Sequence, residues 1–97
     1  MIRIVDIDGN VILEVEDAET TGQALEWAAA NNRACWKARV TGEVISGISL
    51  RDGDFRFADF SKVLTLRDVD FSMAMCCGVV FTGIQKMEDI DFIGANL

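Results

Sequence analysis

Histidine is absent from this 97-residue chain, cysteine occurs three times, and no run of eighteen apolar residues exists. Without histidine, zinc lacks its usual partner to cysteine, and the side chain most often used as a general base near neutral pH is missing. Carboxylates remain for acid–base work, but the absence weighs against an enzyme. Three cysteines, two of them the adjacent Cys76 and Cys77, do not build a disulfide framework. The lack of a long apolar run excludes an ordinary membrane-spanning helix. The opening residues, Met1-Ile2-Arg3-Ile4-Val5-Asp6, carry no basic region followed by an apolar stretch and a cleavage site. The expectation is a soluble cytoplasmic protein with no metal and no cofactor.

What is present suffices for one compact domain with a buried core, because 51% of the residues are hydrophobic and 26% are charged. The net charge of -7 is unevenly placed. Residues 1–32 hold seven acids and one base, residues 33–67 four acids and seven bases, and residues 68–97 five acids and one base. Acidic ends oppose direct binding to a phosphate backbone, which needs a dominant basic surface, and favour a basic protein partner.

Two apolar runs, Ile2 to Ile7 and Val11 to Val15, flank Asp8-Gly9-Asn10, which predicts a β-hairpin, since these residues readily take the positive φ of tight turns. Thr20 with Gln23 three residues on reads as a capping box, followed by Ala24, Leu25, Ala28 and Ala29 at helical spacing and a stop at Asn31-Asn32. Beyond residue 32 the period changes to five. Val40, Ile45, Leu50, Phe55 and Phe60 are each five apart. After a slip of one residue come Phe71, Cys76 and Phe81, and after another Phe92 and Leu97. Two residues before many of these stands a small or aliphatic residue, among them Ala38, Ile48, Gly53, Ala58, Val69, Ala74, Val79, Ile90 and Ala95. Both sets are expected to point inward.

The triplets Ala58-Asp59-Phe60, Gly53-Asp54-Phe55, Val69-Asp70-Phe71, Ile90-Asp91-Phe92 and Ala95-Asn96-Leu97 resemble the pentapeptide-repeat family. The resemblance covers about residues 34 to 97 and is weak where Val44-Ile45 or Lys86-Met87 must serve. It implies a mainly β fold: a short right-handed quadrilateral β-helix over residues 33–97, capped by a hairpin and helix over residues 1–32. The family turns in twenty residues. Here the period is twenty-one, which is read as a bulge or loop at one bend. Residues 53–73 and 74–94 are then successive turns, so that Asp68-Val69-Asp70-Phe71 lies over Asp89-Ile90-Asp91-Phe92.

Asp68 is expected to stack over Asp89 and Asp70 over Asp91, with Glu88 beside them. Stacked like charges repel, and sheets commonly alternate signs instead. The row is either a solvated edge that discourages aggregation or a carboxylate ladder matching a basic partner; a metal is the third reading, though no loop-ligand spacing accompanies it. Joined to the hairpin acids Asp6, Asp8, Glu14 and Glu16, with Asp17 and Glu19, the ladder could imitate the charge of a few base pairs. The family resemblance implies the same, since pentapeptide proteins mimic duplex DNA on topoisomerases. Short acidic chains of this plan also look like phage products, and some phage anti-CRISPR proteins act by DNA mimicry. The expected partner is therefore a basic DNA-binding protein or complex in a bacterial host cell: a CRISPR surveillance complex or, alternatively, a topoisomerase. A structural adaptor without mimicry is the rival class. The basic middle, Arg33, Lys37, Arg39, Arg51, Arg56, Lys62 and Arg67, is expected to pair locally with Asp52, Asp54 and Asp59.

The stretch Ile4-Val5-Asp6-Ile7-Asp8-Gly9 also spells the first motif of haloacid-dehalogenase-type phosphatases, with Asp6 as nucleophile and Asp8 as acid/base. That family needs a doubly wound α/β domain, for which no room remains once repeats begin near residue 38. As a calcium loop the stretch fails, because Val11 replaces the required glycine. Trp27 and Trp36 are expected to plug the first coil against the helix. Cys76 is expected to point inward and Cys77 outward. The last coil, ending in Gly94-Ala95-Asn96-Leu97, is expected to leave open strand edges for an end-to-end homodimer or a partner.

Overall fold

The computed structural model describes residues 1–97, the side chain of Glu43 excepted. The chain runs β1 (Ile2–Val5), β2 (Val11–Val15), α1 (Thr21–Ala30), β3 (Arg39–Ser49), β4 (Asp59–Asp70) and β5 (Lys86–Asp91). It is strand-rich with one helix.

β1 and β2 pair antiparallel as the expected hairpin. Its turn is held by Asp6, whose Oδ1 accepts the backbone N–H of both Asp8 and Asn10 at 2.9 Å. α1 begins where Thr20 Oγ1 accepts from Gln23 N at 3.1 Å, while Gln23 Oε1 accepts from Glu19 N, one residue earlier than a capping box requires. It stops at Asn31-Asn32. Asn32 takes φ 55° and the Arg33 N–H returns to the Ala28 carbonyl at 2.9 Å, which satisfies the last turn. Ala24, Leu25, Ala28 and Ala29 are all buried, as their spacing predicts.

The remaining strands form one parallel sheet in the order β3-β4-β5. Its register has a constant offset of twenty-one: Thr41 faces Lys62, Val44 faces Thr65, Thr65 faces Lys86 and Asp70 faces Asp91. Isolated parallel bridges continue it at Asp54–Met75, Asp59–Val80 and Met75–Asn96. The first step differs, because Arg39 faces Asp59, twenty residues on, and the register shifts before Thr41. The extra residue thus enters as a bulge early in β4. Residues at left-handed φ mark the bends and repeat in register: Gly47, Asp68 and Asp89 in one column, Asp52, Met73 and Gly94 in another. Aspartate tolerates this conformation better than most residues.

The five-residue spacing predicts the core well. Val40, Ile45, Leu50, Phe55, Phe60 and Phe71 are buried, as are Ala38, Ala58, Val69 and Ala74 beside them. Phenylalanines stack from one segment to the next, Phe71 on Phe92 with centroids 5.4 Å apart and Phe60 on Phe81 at 5.5 Å. Cys76 is buried and Cys77 exposed, as expected. Burial pushes the thiols of Cys35 and Cys76 up to about 11, so both behave as small hydrophobes.

Two expectations fail. Trp27 and Trp36 do not plug the core; they are 38% and 53% exposed. The residues of α1 that are buried are Gly22, Ala24, Leu25, Ala28 and Ala29, and Gly22 lets the helix approach Ile45 and Ile48 of β3. Trp36 lies on the outside, donating from Nε1 to Asp54 Oδ2 at 2.6 Å with the Arg56 guanidinium 4.6 Å from its ring centre. Leu97 is 70% exposed rather than inward.

Candidate functional site

The repeating aspartates have a local task. Asp54, Asp59, Asp70 and Asp91 each accept, through Oδ1, the backbone N–H two residues ahead, at 2.8 to 3.3 Å. Such turns follow the ends of β4 and β5 at Asp70 and Asp91, open β4 at Asp59 and lie between β3 and β4 at Asp54. The hydrogen bonds of Ser61 and Ser72 hold the Asp59 and Asp70 carboxyls below their ordinary value of 3.8. Burial pushes Asp54 up, but the bonds from Arg56 and Trp36 outweigh it and leave it lowered too. Because the folded state binds fewer protons than the unfolded chain near and below pH 3.8, these groups stabilise the fold above that value. The stability is lost as pH falls through their depressed folded values. Urea midpoints are therefore expected to hold steady from neutrality to about pH 5 and then to fall with further acid. A midpoint rising below pH 4 would contradict these bonds.

Asp68 and Asp89 have no such task. They sit at the left-handed bend where Gly47 stands in the first segment, between the registered pairs Arg67–Glu88 and Val69–Ile90. With Asp70 and Asp91 they line a groove of about 390 Å³ whose other walls are Gly47, Ile48, Ser49, Val69 and Glu26. Five carboxylates and no cation line it. Among the described residues none of the five forms an ion pair.

Glu26 is the member that sequence reasoning missed. The columns carrying Asp68/Asp89 and Asp70/Asp91 begin with the uncharged Gly47 and Ser49, and α1 brings Glu26 to that level. Its Oε2 accepts the Ser49 N–H at 2.8 Å. The one available signal was its place four residues after Gly22 on the helix face that meets β3.

Other expected members lie elsewhere. Glu88 is not beside the aspartates but paired, 3.1 Å from Arg67 Nε and 3.0 Å from Lys86 Nζ, because side chains alternate along β5 and the bend at Asp89 turns the next one away. Hydrogen bonding from Lys86 holds its carboxyl below the usual glutamate value. None of the hairpin acids Asp6, Asp8, Glu14 and Glu16 lines the groove. Asp6 is held by its turn and lowered by the Asn10 N–H, and Glu14 lies 3.6 Å from Arg3. The basic middle is partly neutralised in place, by Arg56–Asp54 at 2.8 Å and Arg51–Asp52 at 3.7 Å, while Arg39 donates to the Ile7 carbonyl. Local pairing leaves the groove uniformly negative. Among the described residues, no three His, Cys, Asp or Glu side chains converge to hold a metal ion. No helix is long and apolar enough to cross a membrane.

No family model, curated protein or solved structure matches the chain.

Proposed function

We propose that this protein is a non-enzymatic acidic inhibitor that mimics duplex DNA and blocks the DNA-binding site of a nucleic-acid-processing complex. In this reading residues 33–97 form a short right-handed quadrilateral β-helix of pentapeptide-like coils, and residues 1–32 cap it. The target class is a CRISPR surveillance complex of a bacterial host, with the chain acting as a phage anti-CRISPR. A topoisomerase is the alternative target.

One observation carries the proposal: five carboxylates free of ion pairs line a single groove, and four of them form two rows in register. Levels about 4.8 Å apart with two charges each give one charge per roughly 2.4 Å of axis. A duplex presents one per about 1.7 Å. The folded chain holds the rows in place, so a partner meets them already ordered. A specific observation favours the adaptor reading too, namely that Asp70 and Asp91 serve the backbone. Asp68 and Asp89 accept no backbone N–H, and although aspartate suits their left-handed bend, the uncharged Gly47 serves the same bend in the first segment, so their charge tips the balance to a partner surface.

The experiment is a pull-down of the tagged protein from bacterial extract, repeated with excess duplex DNA. The expected result is capture of a DNA-binding complex that the competitor displaces. Partners indifferent to DNA would return the chain to the adaptor class.

A further inference from the structure

A second groove, of about 370 Å³, runs between α1 and β3. It shares Glu26, Gly47 and Ile48 with the acidic groove, so the two adjoin at Glu26. β3 is an edge strand, with β4 on one side only. Among the described residues, the hydrogen bonds the chain itself makes on the other side lie at the two ends. Asp6 bridges Ala38 and the Ile7 N–H reaches the Lys37 carbonyl at the start, and Glu26 takes the Ser49 N–H at the finish. That N–H points away from β4, since the next one, of Leu50, goes to the Asp70 carbonyl. The Glu26 carboxylate therefore stands where the carbonyl of a neighbouring strand would stand.

α1 does not fill this edge. Gly22 seats the helix over the interior, where an added methyl would lie 3.3 Å from Ile45 Cγ2, and the cleft opens outside it along Val44 to Ile48. An edge strand beside an open cleft is a template for an added strand, its backbone giving affinity and alternate side chains giving specificity. The charge fixes the chemistry of the occupant, because the ionisable group lining the cleft is Glu26 and the adjoining groove adds four aspartates, with no cation lining either.

We infer that an extended segment of the partner protein, with Lys or Arg at alternate positions, adds to β3 in this cleft as a further strand. Its basic side chains continue the column above Ser49, next to Glu26, and reach down toward Asp70 and Asp68. This rests on the proposed reading of the acidic groove as the partner surface and adds the form in which the partner is held.

The test uses a fluorescent heptapeptide alternating lysine and valine, and the same peptide N-methylated at alternate amides, which keeps the charge and removes strand hydrogen bonds. The parent peptide is expected to bind, shifting the backbone amide resonances of Ser46 and Gly47, and N-methylation is expected to weaken it at least about tenfold. Equal binding of the two peptides, or shifts confined to Asp68, Asp70, Asp89 and Asp91, would overturn strand addition while leaving the groove an electrostatic surface. Binding of neither peptide would overturn it as well. Self-association that moves the same amides would overturn it in favour of a second copy. The pull-down against DNA fails or succeeds independently of all these outcomes.

Discussion

Replacing Asp68, Asp70, Asp89 and Asp91 together by asparagine is expected to abolish partner capture and to lower the stability of the fold only modestly, through the loss of charge on the bonds that Asp70 accepts. Capture rests on charge, and the substitution removes four of the five carboxylates in the groove. The fold rests on geometry that asparagine preserves. At Asp68 and Asp89, with φ near 53° and 54°, asparagine accepts the left-handed conformation as readily as aspartate. At Asp70 and Asp91 its side-chain carbonyl can still accept the N–H of Ser72 and Ile93. Removing stacked like charges relieves repulsion between β4 and β5. The measurement pairs a pull-down with a urea titration of the quadruple variant. An affinity loss of about a hundredfold or more with a midpoint only slightly lowered supports the partner surface. Unchanged capture would show the rows to be a solvated edge. Raising the salt should mimic the substitution, since exposed charges are screened beyond about 8 to 10 Å at ordinary ionic strength.

Phe71→Ala is expected to have the largest effect on stability. Phe71 is fully buried and packs against four other rings: Phe92 at 5.4 Å, Phe81 at 5.8 Å, Phe60 at 5.9 Å and Phe55 at 6.2 Å. It joins two successive segments and three columns of the core, so no single neighbour can relax into the space it leaves. Such a truncation costs about 3 to 5 kcal/mol, against a total of about 5 to 15 kcal/mol for a domain of this size. The variant should melt roughly 15 °C or more below the parent, or fail to fold at 37 °C. Phe92→Ala, at a position only partly buried, should cost clearly less. Equal costs at the two positions would mean that the last segment is covered in solution.

Much of this was legible in the chain. The turn at Asp8-Gly9-Asn10, the helix from Thr20 to Asn31 and the inward five-residue columns follow from local chemistry, because each is a contact or a preference within a few residues. The offset of twenty-one was legible too, since a repeat that slips by one residue at Phe60 and again at Phe81 states its own length. Trp27 and Trp36 stay outside although their bulk suggests burial, because the buried face of α1 is made by Gly22, Ala24, Leu25, Ala28 and Ala29. Glu88 was misread because adjacency in sequence is not adjacency in a strand.

By itself, then, the sequence determined the period, the core columns and the pairing of Asp70 with Asp91, all consequences of a repeating pattern that must bury one set of side chains. Only the tertiary structure decided which acids are spent on the backbone or on cations and which stand free. It alone brought Glu26 of the helix to the head of rows that begin with Gly47 and Ser49. No repeat predicts that contact, because the helix lies outside the repeat and its placement depends on how Gly22 and the alanines pack against β3.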